Sequence, residues 1–248
     1  MCDSNEIRRY SNKKFSVMGD SISTLQGFNP DTYDVFYTAQ RCEDAGIKGP
    51  EDTWWGKVIA DLGGELAVNN AYSGSWVAKL PDREGLFYSG CSDERTSFLD
   101  KDGVSPDVII IYLGTNDWYY GASPECKVDI QILKDQSFRY AYNSMLEKIK
   151  RNYPEAELWC CTLCISDFGE GEGGFPFERR GVHMKEYCDI IRELSRKHGC
   201  RLIDLYSYMK PYHSVDGFHP SVRGMETIAQ MVLDEVKNVR DKYEGIVS

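Results

Sequence analysis

The chain has 248 residues, 42% of them hydrophobic and 27% charged, with a formal net charge of −10. That length supports one large domain with a substantial core, and the composition is that of an ordinary globular chain. The negative charge argues against nucleic acid and anionic membrane surfaces as partners, because both would be repelled at long range.

In chain order, the N-terminal "MCDSNEIRRYSNKK" is polar and lacks the apolar core of an export signal. No apolar run approaches the ~20 residues needed to span a bilayer. The nine cysteines are an odd number and are scattered along the chain. With no export signal they read as reduced thiols, so the expected location is cytoplasmic. "KFSVMG" reads as a first strand that breaks into Gly19, Asp20 and Ser21. Residues 26–52 form an insertion far longer than ordinary connections. "DTWWGKVIADLGG" reads as a helix capped by Asp52 and stopped by Gly63-Gly64. "ELAVNNA" is the second strand. "PDVIIIYLG", residues 106–114, is the third, its unbroken Val/Ile run implying burial on both faces. A helix is expected over 136–151, with Phe138, Tyr142, Met145 and Ile149 on one stripe. "AELWCCTL" is the fourth strand. Its C-x-x-C, Cys161 to Cys164, reads as a buried strand end, since no second Cys/His pair is spaced for zinc. A Gly- and acid-rich insertion covers 166–180, a helix 178–198, a short fifth strand "RLIDLY", and a final helix 221–242. No repeat, low-complexity tract or Pro/Ser-rich linker interrupts this series, so a single domain over 1–248 is expected.

Strands alternating with helices predict a parallel sheet covered on both faces. Ligands of such sheets sit beyond the carboxyl ends of the strands. Chemistry-bearing residues should therefore fall just after strands, and four segments do: "GDSIS" with Ser21, "NAYSG" with Gly74, "GTND" with Asn116, and "DGFHP" with Asp216 and His219. A serine hydroxyl is a poor nucleophile at neutral pH and needs a base within hydrogen-bond reach. His219 can be that base. Asp216, three residues earlier, can fix its tautomer and stabilise the imidazolium. The oxyanion of a tetrahedral intermediate needs preorganised donors, which the Ser21 and Gly74 backbone N–H groups and the Asn116 side chain can supply. Of the other histidines, His213 lacks a carboxylate three residues before it, and His183 and His198 fall in the helix expected over 178–198.

With these four blocks in this order, the sequence resembles an SGNH hydrolase, the GDSL esterase/lipase family, from residue 15 to about 240. The resemblance implies a flavodoxin-like three-layer α/β/α sandwich with a five-stranded parallel sheet of order 2-1-3-4-5. It also implies ester hydrolysis without metal or organic cofactor. Ile22 stands where the family name has Leu, a packing position. The G-x-S-x-G elbow of α/β-hydrolases is absent.

Aromatic residues crowd the same loops. Trp54, Trp76, Trp118 and Tyr119 are candidate substrate-binding residues, stacking on a sugar ring or limiting acyl length, with pocket packing as the plainer reading. Asp20 and Asp117 read as acids that organise their loops. The two insertions, 26–52 and 166–180, are expected to border the site as lids, or else to form subunit contacts in a homo-oligomer. The leading expectation is a serine esterase acting on a short-chain, acetyl-type or carbohydrate-linked small-molecule ester. Its competitors are a lysophospholipase- or thioesterase-type acylhydrolase and a non-catalytic carbohydrate-binding protein on the same fold.

Overall fold

A computed structural model describes residues 9–79, 89–125, 136–168 and 174–237. Five strands form one parallel sheet in the order β2-β1-β3-β4-β7: β1 (Lys14–Gly19), β2 (Glu65–Asn69), β3 (Val108–Tyr112), β4 (Glu157–Cys161) and β7 (Arg201–Ile203). Two short strands, β5 (Glu178–Arg179) and β6 (Val182–His183), pair only with each other as an antiparallel hairpin. With that hairpin set aside, the sheet has the expected 2-1-3-4-5 order.

The central strand shows why the sequence makes this sheet. Every residue of β3 is buried. Val108, Ile110 and Tyr112 face one core with Phe15, Val17 and Trp159, against the helices α2 (Trp54–Asp61) and α7 (Val222–Val236). Ile109, Ile111 and Leu113 face a second core with Met18, Leu158 and Cys160, against α5 (Phe138–Asn152) and α6 (Met184–His198). Alternate side chains of a strand point to opposite faces, so a strand covered on both sides needs no polar positions. Each of these aliphatic side chains stabilises the fold by about 1.5–3 kcal/mol relative to leaving it exposed. Phe138, Tyr142, Met145 and Ile149 of α5 are all fully buried, as their spacing predicts. Shorter α-helices among the described residues include α1 (Ala39–Ala45), α3 (Asp93–Ser97) and α4 (Thr115–Tyr120).

Helix boundaries differ from expectation in three places. α2 is capped by Thr53, whose hydroxyl accepts from the Gly56 N–H, whereas Asp52 ends a preceding 3₁₀ turn and accepts from the Lys48 N–H at 2.8 Å. α6 begins at Met184; residues 178–183 form the β5–β6 hairpin, turned at Arg180 and Gly181, both with positive φ. α7 ends at Val236, and the expected continuation to 242 runs outside the described residues.

The register fixes the working end of the sheet. β1 pairs with β3 from Phe15 opposite Val108 to Gly19 opposite Tyr112. Asp20 and Ser21 therefore emerge beside Leu113 and Gly114, where the chain turns into α4. Beyond β2 the parallel pairing continues into its loop, with the Asn70 and Tyr72 N–H groups donating to the Val17 and Gly19 carbonyls.

Candidate active site

Ser21 opens a 3₁₀ turn, Ser21–Ser23, that is pinned on every side. The Asp20 carboxylate caps it by accepting from the Ile22 N–H at 3.0 Å. The Thr24 hydroxyl donates to the Ser21 carbonyl at 2.9 Å. From beneath, Trp54 Nε1 donates to Ser23 Oγ at 3.2 Å, while Trp55 Nε1 and Asn69 Nδ2 donate to the Ser23 carbonyl at 3.0 and 2.8 Å. Gly19 permits the close turn: a Cβ there would stand 2.5 Å from Ser23 Oγ.

The loop between β7 and α7 brings His219 to this turn. His219 Nε2 lies 2.9 Å from Ser21 Oγ, and Nδ1 lies 2.7 Å from Asp216 Oδ2. The other Asp216 oxygen accepts from the backbone N–H groups of Phe218 and His219, at 3.1 and 2.8 Å. Partial burial alone would push the Asp216 carboxyl up. The hydrogen bonds from the His219 ring and backbone, with that from Phe218, outweigh burial and hold it at about 2. The loop is anchored in turn by Asp167, which accepts from the Ser214 N–H and hydroxyl, by the Tyr212 hydroxyl on the Phe218 carbonyl, and by the Tyr37 hydroxyl on the Pro220 carbonyl. The other histidines are engaged elsewhere. His213 Nδ1 meets Ser221 Oγ, His183 caps α6, and His198 Nε2 meets Asn143 Oδ1.

Asn116 sits in the first turn of α4 and donates from Nδ2 to the Ser75 carbonyl at 3.0 Å. Gly74 precedes that carbonyl in the loop after β2, with φ +76° and open space where a Cβ would stand. Asp117 binds this loop more directly than its own sequence neighbourhood suggests, accepting from the Val77 and Ala78 N–H groups at 2.8 and 3.0 Å. Burial pushes both Asp20 and Asp117 up to about 7, against the backbone hydrogen bonds that pull them down.

Ser21, Asn116 and His219 line one cleft with Asp20, Ile22, Thr115, Tyr119, Tyr120 and Phe218. Of the four aromatic candidates the structure brings only Tyr119 there. Trp54 is fully buried beneath the Ser21 turn, edge-on to Tyr112. Trp118 is fully buried and stacks on Phe175, and Trp76 is 4% exposed and stacks on Tyr120. The amphipathic face of α2 and the inward face of α4 carry Trp54 and Trp118 into the cores, and Trp76, in the loop after β2, packs into the second core against Tyr120. Tyr120 and Phe218 stand in their place.

Two participants were not visible in the sequence. Phe36, from the first insertion, lies flat on the His219 imidazole, with centroids 3.3 Å apart and planes 8° apart. Arg95 of α3 is completely buried, its side chain donating to Asn70 Oδ1, Ser75 Oγ and the carbonyls of Gly19 and Asn70. It thus ties the end of β1 to the loop that holds Asn116. Burial pushes the guanidinium down to about 10, with Tyr33, Asp20 and Tyr72 opposing, so it remains a cation at neutral pH. Among the described residues no His, Cys, Asp and Glu side chains cluster so as to hold a metal ion, and no helix is long and apolar enough to cross a membrane. Cys161 and Cys164 are buried, and burial pushes both thiols up, Cys164 to about 12.

A parallel α/β/α sandwich presenting a serine, an imidazole and a carboxylate in line at its strand ends is the architecture of a hydrolase. The chain belongs to the GDSL-like lipase/acylhydrolase family, whose model matches residues 13–166, ending before the loop of Asp216 and His219. Over 239 residues it is 24% identical to the cellulase/esterase CelE of Acetivibrio thermocellus, a match covering 91% of this chain and 25% of that protein. The chain therefore spans about a quarter of the length of this curated relative. Among solved structures, a protein named a GDSL-like lipase from Bacteroides uniformis is 28% identical, with a TM-score of 0.67 over 92% of this chain and 96% of that one. A similarly named protein from Bacteroides ovatus is 24% identical, with a TM-score of 0.69 over 92% and 99%. A carbohydrate esterase family 2 enzyme with a carbohydrate-binding domain, from Corynascus thermopiles, is 16% identical, with a TM-score of 0.60 over 92% and 67%. The last two likenesses are of fold.

Proposed function

We propose that the protein is a serine esterase that removes short acyl groups, acetyl above all, from a small-molecule ester whose alcohol is a carbohydrate. Ser21 Oγ attacks the ester carbonyl while His219 Nε2 takes its proton. Asp216 holds the His219 Nδ1–H and stabilises the imidazolium. The oxyanion is received by the Ser21 and Gly74 N–H groups and by the Asn116 side-chain amide, whose orientation is set by its bond to the Ser75 carbonyl. The proton on His219 passes to the leaving alcohol, and a water activated by the same imidazole then hydrolyses the acyl-serine.

The observation that carries this reading is the unbroken relay from Ser21 through His219 to Asp216, at 2.9 and 2.7 Å. A pure binding protein has no use for a nucleophile with its base. The short acyl group is supported by the cleft, whose volume of about 80 Å³ is below the ~150 Å³ that accommodates a benzene ring. The carbohydrate is supported by the aromatic wall of Tyr119, Tyr120 and Phe218, and by the CelE relative, named a cellulase/esterase.

A fluorophosphonate probe tests the chemistry. It should label Ser21, and the label should be absent from Ser21→Ala and strongly reduced in His219→Ala. A series of nitrophenyl esters tests the acyl length. Turnover should be highest with acetate, and a preference for eight carbons or more would overturn the short-acyl assignment.

A further inference from the structure

Two arginines each lie over an aromatic ring beside the cleft. The Arg41 guanidinium lies 4.3 Å from the centroid of Phe36. The imidazole of His219 already covers one face of that ring at 3.3 Å, so Arg41 takes the other face, and the order is guanidinium, phenyl, imidazole. The Arg179 guanidinium lies 4.2 Å from the centroid of Tyr119, a lining residue that packs against Phe218 at 4.5 Å. Both come from the segments that the sequence marks as insertions: Arg41 from α1 within 26–52, and Arg179 from β5 at the end of 166–180.

Neither arginine makes an ion pair with a described residue, although acids outnumber Lys and Arg by 39 to 29 in this chain. A guanidinium lying on a ring keeps its N–H donors at its edge, free for a ligand. The rest of the site would repel an anion. The chain carries −10, and the Asp216 carboxylate is 39% exposed. A neutral ester has no need of cations beside the cleft, whereas an anionic one would be turned away without them.

We infer that the ester taken by this cleft carries an anionic group on its alcohol half, received by Arg41 on the His219 wall or by Arg179 on the Tyr119 wall. This rests on the esterase reading above and names its substrate class. The shared chemistry is a carboxylate or a phosphate, either of which a guanidinium fork pairs with through two parallel N–H bonds.

Three acetylated methyl glucosides that differ only at carbon 6 decide it: hydroxymethyl, carboxylate and phosphate. With the full chain, kcat/KM for one charged ester should exceed that for the neutral ester by about tenfold, the scale of one charge-assisted pair. The advantage should shrink as salt rises. Arg41→Gln or Arg179→Gln should reduce the charged-to-neutral ratio, and the variant with the larger effect identifies the arm. The faster of the two charged esters identifies the anion. Equal or faster cleavage of the neutral ester, or a ratio untouched by either variant, would overturn the inference. Nitrophenyl acetate, run alongside, separates the two levels. Its turnover without any charge preference sinks this inference alone, whereas no turnover of any ester sinks the esterase reading beneath it.

Discussion

The ring of Phe36 and the imidazole of His219 are stacked face to face, 3.3 Å between centroids and 8° between planes. Tyr37 closes a second side, edge-on to the same imidazole at 6.5 Å. An imidazole that must shuttle a proton between a hydroxyl and a leaving group gains from a ring that forbids it to swing. A misplacement of about 1 Å can cost on the order of 100-fold in rate. Phe36→Ala should therefore lower kcat on neutral nitrophenyl acetate by about 10- to 100-fold while KM changes little. Phe36→Trp, which keeps a flat face, should recover most of the loss. Steady-state kinetics of the two variants read this directly. Full kcat in Phe36→Ala would reduce the stack to packing.

Asp216 should matter less than His219. Removing the proposed base would leave Ser21 with no acceptor for its proton, so His219→Ala should have no measurable turnover. Asp216→Ala keeps the base but loses its orientation, and should retain residual activity, down by about 10³–10⁴. The carboxyl is held at about 2, so it does not titrate in any ordinary assay. Its stability contribution has a defined sign. A folded value below the unfolded one, about 3.9, means stabilisation that is complete above pH 4 and lost as pH falls through 2. Urea midpoints of wild type and Asp216→Asn at pH 7 and near 2 should converge at the acid end.

Asp20 titrates in the opposite sense. Burial raises it to about 7, the Ile22 N–H pulls it down, neighbouring Asp117 pushes it up and Arg95 pulls it down. Its Oδ2 is buried and has no hydrogen-bond partner among the described residues. A folded value above the unfolded ~3.9 means a contribution that is whole below pH 4 and is lost as pH rises through 7. Asp20→Asn keeps an oxygen for the Ile22 N–H and removes the proton linkage. Thermal melts from pH 5 to 8 should therefore show wild type losing stability with rising pH and Asp20→Asn losing less. Parallel slopes for the two proteins would show that Asp20 stays ionised throughout.

What the sequence revealed follows from range. Ser21, Asn116 and His219 each follow a strand or its loop within a short local motif, and the parallel-sheet rule then places them on one rim without knowledge of contacts. Phe36 and Arg95 are different. Phe36 lies in an insertion with no periodicity to say which way it faces. Arg95 sits in "DERTS", a short charged stretch without apolar periodicity, and its burial depends on acceptors from Gly19, Asn70 and Ser75 that are distant in sequence. The tryptophans follow the plainer of the two readings, packing. Bulk beside a motif left both a pocket wall and packing open, and the helical phase of α2 and α4 turns Trp54 and Trp118 into the cores.

Arg95 should act on the rate through Ser75. Its side chain donates to Ser75 Oγ at 2.7 Å, and the Ser75 carbonyl accepts from Asn116 Nδ2 at 3.0 Å, so one residue joins the guanidinium to the amide proposed to receive the oxyanion. An interaction made only in the transition state lowers kcat when it is loosened and leaves KM nearly unchanged. Arg95→Lys keeps the charge, but one ammonium cannot reproduce a planar fork that reaches Gly19, Asn70 and Ser75 together. It should fold, with a lower urea midpoint, and show kcat on nitrophenyl acetate reduced by about tenfold or more at similar KM. Arg95→Met strands several buried acceptors at about 1–3 kcal/mol each and should be the less stable of the two. The decisive comparison is Arg95→Lys against wild type at a temperature where both are fully folded. Reduced kcat there makes Arg95 a positioning residue for the reaction, and full kcat with reduced stability confines it to the scaffold.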